Sequence, residues 1–117
     1  MITLDSLRAY GANVDEGLAR CMNMESFYLR IVNMLVNDDD KSVQRLRDGL
    51  AAGDTAAVFE AAHALKGSTG NVSITPMFKP ICTLSDTLKG HTDMPLAPEH
   101  IRLAEEALEQ YEKLKAL

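Results

Sequence analysis

Residues 54–73, DTAAVFEAAHALKGSTGNVS, decide how this chain folds. Val58, Ala62, Leu65, Thr69 and Val72 recur at spacings of four, three, four and three, the repeat of one face of an α-helix. Asp54 stands just ahead of the run, where its carboxylate can accept from the first free N–H groups. The spacing predicts one amphipathic helix with an anomaly on its outer side. Gly67 and Gly70 fall inside it, and each costs a helix about 1 kcal/mol relative to alanine.

The direction of each side chain follows from the stripe. At about 100° per residue, His63 points roughly 130° away from the centre of the apolar face. Gly67 and Gly70 lie on the same outward side, one and two turns further on. Lys66 sits at the flank of the stripe, three residues from His63 and so its neighbour on the helix surface. Gly70, followed by Asn71, could act as a cap at the helix end. Gly67 could not, because apolar positions continue in phase beyond it. Two missing β-carbons beside an outward imidazole let another surface come close, and Lys66 adds a fixed positive charge. The combination suits a nucleophile for an anionic electrophile, a phosphoryl group first among them.

Working outward, every other segment also reads as helix. Asn13 and Glu16 stand in capping-box spacing ahead of a short helix from Val14 to Cys21. In MESFYLRIVNMLVN, residues 24–37, Met24, Phe27, Tyr28, Ile31 and Leu35, with Val32 or Met34, share one side and are expected inside. The NDDDK run at 37–41 predicts a break or kink, since aspartate caps helices well and fills their interiors poorly. Val43, Leu46 and Leu50 repeat through the next segment, which Gly53 closes. Thr75 as N-cap and Pro76 at the first position open a helix carrying Met77, Ile81, Leu84 and Leu88 inward, and Gly90 stops it. After the one sizeable loop, residues 90–99, Pro98 opens a last helix with Ile101, Ala104, Leu108 and Tyr111 inside. No stretch alternates long enough for a strand. The fold class is all-α: one domain over 1–117, an antiparallel up-down four-helix bundle over about 24–117 with accessory helices over about 1–22.

Composition narrows the function. The chain has 117 residues and a net charge of −5, which argues against nucleic acid or an anionic membrane as partner. No apolar run reaches the roughly 18 residues of a membrane span, and the N-terminus lacks the basic-then-apolar form of a signal peptide. Cys21 and Cys82 are too few for a disulfide framework or a zinc site, so a reducing cytoplasm is expected. The singly amphipathic helix faces favour a monomer.

HALKGSTG, residues 63–70, resembles the signature of the histidine-containing phosphotransfer (HPt) domain family of multistep two-component phosphorelays. The likeness covers about residues 12–90, with VDEGLARCMNMESFYLRIVNMLVNDD and LRDGLAAGDTAAVFEAAHALKGS similar in layout. It implies that His63 accepts and donates a phosphoryl group and that Lys66 assists electrostatically. Gly67, Ser68, Gly70 and Ser73 would allow close approach, with Leu18, Met22 and Ile74 at the docking periphery. Ser73 departs from the pattern, standing where the family commonly has glycine. Response-regulator receiver domains and a hybrid histidine kinase are the implied partners. Mg²⁺ is expected on the receiver, and the chain needs no cofactor of its own. An adaptor that docks without transferring, or a one-way phosphate sink, would use the same surface.

Other motifs carry less. Glu60 and His63 have the spacing of a di-iron ligand pair, but such sites need two such pairs and two further glutamates facing inward. LKGST has Lys before Gly and follows a helix, so it is no ATP-binding loop, and the family resemblance implies a phosphotransfer intermediate rather than an autonomous kinase. The aspartates at 38–40 lack the glycine and distal glutamate of a calcium loop. His91 and His100 read as surface residues.

Overall fold

A computed structural model describes all residues, 1–117, as seven helices and no strands. These are α1 (Leu4–Tyr10), α2 (Val14–Arg20), α3 (Glu25–Val36), α4 (Ser42–Ala52), α5 (Thr55–Asn71), α6 (Thr75–Leu88) and α7 (Pro98–Lys115). No helix is long and apolar enough to cross a membrane.

The helix α5 forms for the reasons its sequence gives. Asp54 accepts from the Ala57 N–H, and Val58, Ala62, Leu65 and Thr69 are buried along one face, with Val72 beyond them. The neighbours of α5 are α4 and α6, while α7 packs on α6 and closes back towards α4. One corner of the four-membered bundle is divided. There α4 meets the first half of α5, where Gly49 lies against Ala57 and Val58, and α3 borders its last turns beside Ser68 and Asn71.

The aspartate run makes the division. Asp38 accepts from the N–H groups of Val43 and Gln44, and Asp40 from that of Ser42. The first-turn donors of α4 are thus satisfied by residues ahead of Lys41, whose backbone is left-handed at φ 62°. Gly53, at φ 65°, ends α4 as its spacing predicts. At α6, Ile74 takes the cap position and Thr75 the first turn, so Pro76 stands one place further in than expected, still where no N–H is missed.

Two inward assignments need correction. In α3 only Tyr28, Val32 and Leu35 are buried, while Met24, Phe27 and Met34 are exposed. In α7 the buried stripe is Leu103, Ala104, Ala107, Leu108, Tyr111 and Leu114, and Ile101 faces out. Both helices lie at the edge of the bundle and bury a narrower stripe than their apolar content allows.

The N-terminal helices cover the end of the bundle that holds the α5–α6 turn. The Tyr28 hydroxyl donates to the Val72 carbonyl at 3.0 Å, and burial pushes its phenol up to about 12. Gly17 of α2 packs on that ring: a β-carbon there would lie 2.4 Å from Tyr28 Cε1 and 2.7 Å from the Val72 oxygen. Further along, the Tyr10 hydroxyl donates to the Gln110 carbonyl and ties α1 to α7. Gly17→Ala is therefore expected to overpack this joint and lower the unfolding free energy by about 2 kcal/mol, read from urea denaturation against wild type.

Candidate functional site

His63 lies exposed on the outer face of α5, with Phe59 one turn before it. The two rings stack with centroids 5.8 Å apart and planes 26° from parallel. A side chain four residues back on a helix is a natural neighbour, and this one leaves the imidazole fewer ring orientations. Lys66 lines the same groove as His63, and its ammonium is held by Asp86 of α6 at 2.8 Å. That hydrogen bond raises the lysine pKa and holds the Asp86 carboxyl below the usual carboxylate range. The second Asp86 oxygen accepts from the Cys82 thiol at 3.6 Å, and burial pushes that thiol up.

The groove beside His63 continues along α5 past Gly67, Gly70 and Asn71, with Phe78 of α6 on one wall and Glu16 and Arg20 of α2 on the other. The two glycines prove different. A β-carbon on Gly67 would meet nothing within 4 Å, so the backbone beside His63 is open to solvent. A β-carbon on Gly70 would lie 3.1 Å from Phe78 Cε1, so that glycine makes room for a side chain of its own fold. Gly70 also lies within the helix, which runs on to Asn71, and is not its cap.

Two further expected site residues, Ile74 and Ser68, lie elsewhere, while Ser73 borders the groove with its side chain largely buried. Ile74 is completely buried and takes no part in a docking periphery. The helix ends at Asn71, and beyond it the chain turns Ile74 into the core. Ser68 points towards α3, and its hydroxyl donates back to the Ala64 carbonyl. Ser73 lines the groove beside His63 but is largely buried, with φ +54°. Its hydroxyl donates to Glu16 at 2.9 Å and its carbonyl accepts from the Asn13 N–H. A left-handed backbone is where glycine is at ease, which explains the glycine of the family pattern, and here a serine holds that conformation. Leu18 packs partly into the core, whereas Met22 is 75% exposed.

Several contributors were not picked out from sequence. Phe78 and Asp86, each one turn from Cys82 on one face of α6, reach the site through the antiparallel pairing of α5 and α6. Arg20 reaches it from α2 and forms a 3.3 Å ion pair with Glu16. Phe59 was legible from its spacing to His63.

The sequence model of the Hpt domain matches residues 30–114, well over half of the chain. The chain belongs to the Hpt domain family. No curated protein and no solved structure matches it. Hpt domains act in histidine phosphotransfer within phosphorelays, together with receiver domains and kinases. The matched residues begin inside α3 and run through α7, further along the chain than the resemblance at about 12–90. Of the two helices ahead of the Hpt match, α2 still supplies Glu16 and Arg20 to the groove.

The strained serine gives a direct test. Ser73→Gly and Ser73→Ala both lose the bond to Glu16, but only glycine relieves the left-handed backbone. The glycine variant is expected to be more stable than the alanine variant by about 1 kcal/mol, measured by chemical denaturation of the pair.

Proposed function

We propose that His63 is the phosphoryl acceptor and donor of this Hpt domain, shuttling the group between aspartates of receiver domains. The observation that carries the reading is the bare stretch of α5 at Gly67, open beside an exposed imidazole with a lysine lining the same groove. A helix keeps a glycine there at a cost of about 1 kcal/mol, and no internal contact compensates it.

The chemistry follows from the groups present. A neutral imidazole nitrogen attacks the phosphorus of a receiver's aspartyl phosphate in line. The P–N bond forms as the acyl-phosphate P–O bond breaks, the receiver regains a free carboxylate, and the ring releases its remaining N–H proton to solvent. The return step reverses this on a second receiver. Phe59 steadies the ring plane, Lys66 faces the transferred oxygens with positive charge, and Mg²⁺ is supplied with the receiver's own acidic cluster. The receiver rests on the exposed apolar residues Met22, Phe27 and Met34, with Ile31 between them. Grooves beside Phe27, Ile31 and Met34 share Asn71 with the groove beside His63, so that face and the imidazole can be covered together.

The test uses a receiver preloaded with a small phosphodonor and Mg²⁺. Wild type is expected to take up acid-labile, alkali-stable label and His63→Gln none. Gly67→Leu should fold more stably than wild type by about 0.8 kcal/mol, since the β-carbon it adds meets no neighbour within 4 Å, yet take label about ten-fold more slowly or worse. Label retained in His63→Gln would place the acceptor elsewhere. Receivers that bind but pass no label would make the protein an adaptor, and label accepted from one receiver but never forwarded would make it a sink.

A further inference from the structure

Asp86 lies outside the histidine motif, and the register of two helices brings it there. Gly70 faces Phe78 across the α5–α6 pair. Eight residues further along α6 is Asp86, and eight residues back along antiparallel α5 is Ala62, next to His63. Asp86 therefore stands level with the backbone of Ala62 and His63. Lys66 starts one turn away from that level, and its chain runs towards the N-terminal end of α5, the direction helical side chains take, to meet Asp86 at 2.8 Å. The carboxylate is fixed from both sides, one oxygen by the ammonium and the other by the Cys82 thiol.

We infer that Asp86 is a positioning residue that parks the Lys66 ammonium beside His63 and competes with the phosphoryl group for it, thereby setting how readily the phosphohistidine gives that group up. The inference rests on the reading of His63 as the phosphoryl carrier. Before transfer, Asp86 is the counter-charge of Lys66. Once the P–N bond has formed and the acyl-phosphate P–O bond has broken, a phosphoryl dianion stands in the groove that Lys66 lines, within reach of the ammonium that Asp86 holds. The ammonium then has two anionic partners, and whatever it gives the phosphoryl oxygens it withdraws from Asp86. No proton moves in this exchange. The phosphohistidine is consequently less stabilised than a free lysine would make it, and onward transfer to a receiver carboxylate is easier.

Asp86→Asn keeps a hydrogen-bond acceptor for Lys66 and removes the competing charge. Both partners are substantially solvent-exposed, so the variants are expected to fold. The measurement is the equilibrium ratio of label on His63 to label on the receiver, at fixed concentrations and Mg²⁺. Asp86→Asn is expected to shift it about three-fold towards the phosphohistidine, a size consistent with an exposed ion pair. Lys66→Gln should shift it the other way, and Asp86→Asn should add nothing in the Lys66→Gln background. An unchanged ratio, a shift towards the receiver, or the same three-fold shift without Lys66 would overturn the inference. Wild type that takes no label overturns the underlying reading along with it, whereas labelled wild type with an insensitive ratio overturns the role of Asp86 alone.

Discussion

The turn from Val72 to Ile74 is the joint on which the rest of the structure depends. It reverses the chain sharply: the Ser73 N–H donates to Gly70, the Ile74 N–H donates to Thr69, and Ser73 itself is left-handed. Ile74 is driven into the core, where burying such a side chain contributes about 2 kcal/mol. Tyr28 locks the Val72 carbonyl, and Asn13 locks that of Ser73. These few contacts fix the register of α6 on α5 and the seat of α2 at the bundle end. They bring Phe78 to Gly70, Asp86 to Lys66, and Glu16 with Arg20 to the edge of the groove.

A site held this way differs from one carried on loops. His63, Lys66 and Gly67 share one helix, so their relative positions are set by 3.6 residues per turn and change little as the surroundings breathe. The elements ahead of the family match reach the groove through a polar chain, Arg20 to Glu16 to Ser73, anchored on the turn that Tyr28 and Asn13 also hold.

What the sequence made legible was what is local. The buried stripe of α5, its Asp54 cap, the Gly53 stop and the outward aim of His63 all follow from neighbours within a turn or two. The direction of Ile74 was misjudged because the 100° rule was carried past Asn71, where the helix ends and the angle no longer applies. Met24, Phe27 and Met34 were misjudged for another reason: an apolar residue at helical spacing has the same signature whether it meets the core or an outside partner. Asp86 was invisible because its meeting with Lys66 depends on pairing register across a turn. That register is set by the left-handed Ser73, a conformation that few residue types announce.

The two glycines of the motif show how a single structure can separate fold from function. Their intrinsic costs in a helix are equal, and in sequence they look alike. At Gly70 the vacant position is filled by Phe78, so packing within the chain offsets the loss. Gly17 and Gly49 behave the same way, against Tyr28 and against α5. At Gly67 nothing from the chain comes within 4 Å, and the helix is weakened with no internal return. A loss that folding does not recover can be recovered only by a surface from outside. The one glycine of the motif left empty lies one turn from the exposed imidazole, where an approaching receiver would need the space.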